Sequence, residues 1–181
     1  METLTKKAYT YEEYAQLPEG APYQLIGGEL IMAPAPTPYH QRILTRLLFN
    51  LMQFVEEQGL GEVIPAPIDV FLSEEDTPQP DLIYIASDRL GIIGEKKIEG
   101  APDLIMEILS PSTAYYDLKD KKRLYEAHGV KEYWIIDPKA KEIEVYKNKG
   151  QHFQLTSREV GEGMIPSSLL NGFTVDLSAI F

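Results

Sequence analysis

The most constraining stretch of the chain is Leu-Ile-Met-Glu-Ile-Leu-Ser at residues 104–110. Three apolar residues precede Glu107 and two follow it, with no alternation of polar and apolar positions. A short continuous apolar run of this kind predicts a strand buried on both faces, hence a sheet covered on both sides. Glu107 then has to be explained. Burying an ionised carboxylate without a partner is costly, so it is protonated, meets a cation from elsewhere in the chain, or holds a metal.

Composition narrows the setting. The chain has 181 residues, 44% of them apolar, which predicts one globular domain spanning 1–181 with a sizeable core. No apolar run reaches the ~18–20 residues that cross a bilayer, so no membrane association is expected. The first residues, METLTKKAYTYEEYAQL, lack the apolar centre of a signal peptide. There is no cysteine, which removes disulfides, thiolate metal sites and cysteine nucleophiles. A cytoplasmic location is the expectation that fits. The formal net charge of −11 argues against non-specific coating of nucleic acid. Residues 119–149 nevertheless carry nine Lys and Arg against six Asp and Glu. A phosphate-bearing ligand approaching that side is compatible with this local excess, and so is a solvated helix and strand edge.

Along the chain, a short helical stretch at the N-terminus precedes YQLI and ELIMA around Gly27-Gly28, the signature of a hairpin with a primed turn. Thr37 reads as a helix N-cap with Pro38 in the first position. Ile43, Leu44, Leu47, Leu48, Leu51, Met52 and Val55 then recur with helical spacing as far as Gly59. Residues 62–72 read as a strand and PDLIYIA as another, followed by a glycine-containing loop. A helix is expected over 113–128 and a strand at KEYWIID. EIEVYK and HFQLTS flank Asn148-Lys149-Gly150 as a further hairpin, and GFTVDLSAIF closes the chain. Strand, helix, strand over 103–137 implies a parallel pair with a right-handed crossover. The fold class is α/β, with a mixed sheet and flanking helices.

Asp81 follows Pro80 at the mouth of a strand, where Asp is a poor strand residue. Asp81 and Glu107 on neighbouring strands could share one divalent ion, and oxygen-only ligation suits Mg²⁺ or Mn²⁺. Asp103, in a second Pro-Asp pair, lies on the same face as Glu107 but roughly 13 Å away at ~3.3 Å per residue, too far to share an ion. It reads as a residue that starts the strand. Asp117, Lys121 and Tyr125 recur at i, i+4 and i+8 on one helix face, from which Lys121 could reach Glu107. Lys119, Lys122 and Arg123 fall on other faces.

Pro80-Asp81 followed by Glu107 resembles the PD-(D/E)XK nuclease superfamily. The longer string APDLIMEILSPST, Asp117, Lys121, Tyr125 and HGVKEYWIIDP resembles one bacterial family within it, of restriction endonuclease-like proteins. The hairpin YQLIGGELIMAP, His40 and the ending GFTVDL extend that resemblance over the whole chain. It implies a restriction endonuclease-like αβββαβ core with extra N- and C-terminal β-hairpins. It also implies Mg²⁺, with Mn²⁺ as a substitute, held by Asp81, Glu107 and the Ile108 carbonyl. Leu109 stands where the superfamily motif has its lysine, and the resemblance moves that role to Lys121. Gln24 stands where relatives carry an acid, leaving Glu29 as an acidic candidate for a catalytic role.

Each candidate has a plainer reading: a salt bridge for Glu107, a turn for Asp81, a partner for Asp117 at Lys121, a hairpin position for Glu29. Tyr125 and Trp134 read as core, Asp137 as a turn residue, and His40 as an exposed or capping residue. The leading functional expectation is a Mg²⁺-dependent endonuclease acting on nucleic acid, DNA first, with Asp81, Glu107, Lys121 and Glu29 as its catalytic set. The alternatives are an inactive nuclease-fold module for binding or regulation, favoured by Leu109, Gln24 and the acidic charge, and an assembly protein. A homodimer is expected from the resemblance alone.

Overall fold

A computed structural model describes residues 8–110 and 117–181, with side chains placed throughout except at 117 and 118. The expected helical start at 113–116, and the side chains of Asp117 and Leu118, lie outside the described residues.

The chain opens with helix α1 (Tyr11–Tyr14), capped by Thr10, and the hairpin β1 (Tyr23–Ile26) to β2 (Glu29–Met32). Gly27 and Gly28 have φ of 56° and 72°, the two successive positive values that a primed turn demands. The long helix α2 (Pro38–Gln58) starts as the sequence dictates: the Thr37 side chain accepts from the His40 backbone N–H, and Pro38 takes a position needing no N–H. It stops at Gly59, whose left-handed conformation (φ 63°) caps the last turn. Its apolar stripe, Ile43, Leu44, Leu47, Leu51 and Val55, is buried. At ~1.5–3 kcal/mol per buried side chain, that stripe outweighs any helix propensity and fixes α2 on the sheet.

Strands β3 (Gly61–Pro65), β5 (Leu82–Ala86), β7 (Leu104–Ile108), β8 (Glu132–Asp137), β9 (Glu142–Asn148) and β10 (Phe153–Val160) form a six-stranded sheet, with β4 (Val70–Phe71) and β6 (Ile98–Glu99) outside it. The order is β10-β9-β8-β7-β5-β3. Within this sheet β7 and β8 are the one parallel pair among the described strands, and the crossover between them includes a π-helical turn (Asp117–Lys121) leading into helix α3 (Lys122–Ala127). All five residues of β7 are buried. One face of the sheet packs against α2 and the C-terminal segment, with Leu104, Met106, Trp134 and Phe173 in that core. The other face packs Ile83, Ile105, Tyr133 and Ile135 against Tyr125, Val70 and Ile98. The chain closes with β11 (Met164–Pro166), β12 (Thr174–Asp176) and helix α4 (Leu177–Ile180).

Two expectations are corrected. Residues 62–72 do not make one strand: β3 stays in the main sheet, whereas β4 pairs in parallel with β6. Pro65 and Pro67 lack the amide donors that a continuous ladder would need. The loop after β5 is also more ordered than a loop, holding a 3₁₀ turn over Ser87–Ile92 before β6.

Candidate functional site

The site forms where β5 ends while β7 continues. The two strands pair antiparallel with Leu82 opposite Met106 and Ile83 opposite Ile105. Continued one residue past the last pair, that register sets Asp81 opposite Glu107. Directly opposite residues share a face with Cβ atoms ~4.5–5.5 Å apart. Beyond the fork, β7 is paired on its other side with β8, out to Ile108 opposite Ile136. The Ile108 N–H has no strand carbonyl on the β5 side, and Asp81 Oδ2 accepts it at 2.8 Å. The Asp81 carbonyl accepts the Ala66 N–H at 2.8 Å, so both ends of the residue are held.

Glu107 is 4% exposed. Lys121 Nζ donates to its two oxygens at 3.0 and 3.2 Å, and Tyr125 OH donates to Oε1 at 2.6 Å. Lys121 is itself 4% exposed and Tyr125 fully buried. A cation from the crossover therefore compensates the buried carboxylate inside the chain. The π-helical turn that ends at Lys121 is a conformation found often at functional sites.

Asp81, Glu107, Ile108 and Lys121 line a single cavity of about 780 Å³ together with His40 and Leu109. Its walls are largely apolar, with Pro34, Pro36, Pro67 and Pro138 among them. Glu29 is not brought there: it sits exposed at the start of β2 beside the glycine turn, and it does not line the cavity. Tyr125 lies beneath the site, against the Tyr133 ring.

His40 corrects an expectation. It is not exposed; it is 9% exposed and its Nε2 lies 3.4 Å from Asp81 Oδ2. The reason was present in the helix spacing, since His40 precedes Leu44, Leu47 and Leu51 on the buried stripe of α2. Burial opposes charge on the ring. The hydrogen bond and charge of Asp81, the Ile108 carbonyl and the charge of Glu107 more than offset it and leave the imidazole above its ordinary pKa.

Gln24 also lines the cavity and is buried. Its Oε1 accepts the Gln79 backbone N–H at 3.2 Å, and Gln79 Nε2 donates to Asp69 Oδ1 at 2.8 Å. This joins the N-terminal hairpin to the segment leading into Asp81. Asp103, by contrast, lies away from the cavity, paired with Lys131 at 2.7 Å and Arg89 at 2.9 Å. Asp137 accepts from the backbone of Lys139 and Ala140, holding a turn at the cavity rim.

A family model described as a putative restriction endonuclease, Uma2, matches residues 11–178. The chain belongs to the Uma2 family. An uncharacterised protein of Synechocystis sp. PCC 6803 is 28% identical over 166 residues, covering 90% of this chain and 93% of its own. A crystal structure described as a putative nuclease from Anabaena variabilis superposes with a TM-score of 0.77 at 22% identity, over 95% of this chain and 97% of that one. That likeness establishes the restriction endonuclease-like fold, whose αβββαβ core is here α2, β3, β5, β7, α3 and β8. Uma2 membership supports a nuclease-like function. No described helix is long and apolar enough to cross a membrane.

The donor chemistry fits a hard divalent ion. The carboxylate-bearing residues Asp81 and Glu107 line the same cavity as Ile108. Among the described residues no group of three or more His, Asp or Glu side chains is placed to hold a metal ion. Carboxylate oxygens are donors of the kind Mg²⁺ takes, one or two of them together with several waters.

Proposed function

We propose that this Uma2 protein is a metal-dependent endonuclease that hydrolyses phosphodiester bonds of nucleic acid, with DNA as the substrate. The observation that carries this reading is the fork between β5 and β7. There a buried Glu107 and a backbone-anchored Asp81 face the same cavity, with the Lys121 ammonium on the Glu107 carboxylate. Asp81 and Glu107 would hold Mg²⁺ or Mn²⁺, with the Ile108 carbonyl as a further donor. Such an ion lowers the pKa of a bound water and neutralises charge on the scissile phosphate.

The chain supplies the rest. Lys121 has three donor protons and spends contacts on both Glu107 oxygens, so its ammonium is fixed at the cavity wall. From there it orients the attacking water or stabilises negative charge that builds on the phosphate. Tyr125 holds Glu107 in register from below and is a positioning residue. Two copies acting together would cut both strands of a duplex, the basis for expecting a homodimer.

One observation favours a second reading, an inactive binding or regulatory module. Lys121 and Tyr125 already satisfy Glu107, so no ion is needed to offset its charge. The test is cleavage of plasmid DNA with Mg²⁺ or Mn²⁺ by wild type, Asp81→Asn and Glu107→Gln. The proposal expects cleavage by wild type and its loss in both variants while circular dichroism stays native. Undiminished cleavage by either variant removes the mechanism, and inactivity of the wild type favours the module.

A further inference from the structure

We infer that a second cleft, lined by Lys119, Lys122 and Arg123, binds backbone phosphates of the nucleic acid strand whose scissile group enters the neighbouring cavity. The inference rests on nucleic acid being the substrate, as proposed above, and adds to it the surface that holds the strand.

The formal net charge is −11, so most of the molecule repels an anionic polymer, which needs a local group of cations to land on. Lys119, Lys122 and Arg123 form such a group, lining a cleft of about 420 Å³ with Glu126, Ile135, Glu144 and Tyr146. The two acids there are engaged elsewhere. Glu126 accepts the Phe153 N–H at 2.7 Å and lies 3.3 Å from His152 Nδ1. Glu144 accepts the Tyr146 hydroxyl at 2.7 Å and lies 3.7 Å from Arg158 Nε. Among the described residues none of the three cations is hydrogen-bonded to or ion-paired with a carboxylate. Lys119 and Arg123 are exposed, whereas Lys122 is half-buried with its Nζ 3.4 Å from the centroid of the Tyr146 ring. Burial draws its pKa below the ordinary lysine value, although Glu144 and Glu126 act the other way. An ammonium partly out of water, held on a ring face with no carboxylate bonded to it, favours an incoming anion.

Register sets this cleft beside the cavity. Glu107 pairs with Ile135 of β8, and Ile135 with Glu144 of β9. Directly paired residues share a face, so the three form a row about 10 Å long at ~4.8 Å per strand. Glu107 lines the cavity at one end of the row, while Ile135 and Glu144 line the cleft. One stretch of backbone serves both openings: Lys121 lines the cavity, and Lys119, Lys122 and Arg123 line the cleft. Phosphates succeed one another at ~3.4 Å of rise along a strand, so a strand following the row sets phosphates roughly three nucleotides from the cavity over these cations.

The experiment is fluorescence anisotropy of a short labelled DNA duplex over a salt series in EDTA, which removes cleavage from the readout. Wild type is compared with Lys122→Gln, with Lys122→Arg, and with Lys119→Gln, Lys122→Gln and Arg123→Gln combined. At ~0.9 per phosphate contact, the combined variant should lose about 2–3 from the slope of log affinity against log salt, and Lys122→Gln about 1. Lys122→Arg should keep the wild-type slope, which separates charge from packing against Tyr146. DNA binding whose slope the combined variant leaves unchanged would overturn the inference and leave the endonuclease reading standing. A change of oligomeric state in that variant, with the slope unchanged, would assign the cleft to a second copy of the chain and overturn it too. Absence of DNA binding by wild type would overturn both. A lowered slope in a protein that never cleaves DNA with Mg²⁺ or Mn²⁺ would support the cleft and sink the catalytic reading.

Discussion

The two ends of β7 carry the same problem with different solutions. Asp103 precedes the strand and Glu107 lies near its far end, and both are buried acids. Asp103 is closed in: Lys131, Arg89 and the Ala86 N–H surround it, and two of its three partners sit on other segments that it thereby ties to the sheet. Glu107 is also neutralised, by Lys121 and Tyr125, yet it opens onto a cavity where a second acid waits. Buried charge alone does not mark a functional site. The β5–β7 ladder covers only Leu104 to Met106 and stops one residue short of each acid, so what separates the two is their surroundings: Asp103 is enclosed by its partners, whereas Glu107 lines the cavity that Asp81 also lines.

The largest expected effect breaks the comparison at Glu107. Glu107→Gln should lower metal-dependent cleavage by on the order of 10³-fold, ~4 kcal/mol on the barrier. It should also cost ~3–5 kcal/mol of stability, because the buried Lys121 ammonium loses its bond to the Glu107 carboxylate. Adding Lys121→Met to that variant should restore most of the stability and none of the cleavage, as read by urea unfolding and nicking assays in parallel. At the other end, Asp103→Asn should cost about 2–3 kcal/mol, the loss of charge-assisted contacts, with cleavage within about threefold of wild type. A strong activity defect there would erase the distinction between the two ends.

A smaller effect appears on acidification. Burial pushes the Asp103 carboxyl up, but the Ala86 N–H, Lys131 and Arg89 together hold it below its usual 3.8. A depressed carboxylate contributes stability above the unfolded value and loses it as pH falls through the folded one. The stability gap between wild type and Asp103→Asn should therefore be constant above about pH 4 and shrink below it, measured by unfolding between pH 6 and pH 3. The smallest effect is expected for Lys131→Ala. Its side chain is 53% exposed, and screened pairs of this kind contribute ~0.2–1 kcal/mol.

Much of this was legible in the sequence because it is local. The apolar run of β7, the Gly27-Gly28 turn and the capped stripe of α2 each follow from residues close together in the chain. Lys121 and Tyr125 share a stripe that the sequence presents directly, and both end at Glu107. What was not legible depends on register and long loops. The facing of Asp81 and Glu107 needs the β5–β7 pairing, and the Gln24 contact with Gln79 spans 55 positions. Glu132 is fully buried where a lone carboxylate would be costly, and it is accommodated by the Trp134 indole N–H and by Ser167, Ser168 and Leu169 more than thirty positions on. His40 is an intermediate case. Its polarity suggested solvent, although its helical phase with Leu44 and Leu51 placed it inside.

The most direct measurement is anomalous diffraction from crystals soaked in Mn²⁺. The account predicts one strong peak in the cavity, within coordination distance of a carboxylate oxygen from Asp81 and another from Glu107. Crystals that take up Mn²⁺ elsewhere while Asp81 stays on the Ile108 amide and Glu107 on Lys121, with no density between the two acids, would contradict it.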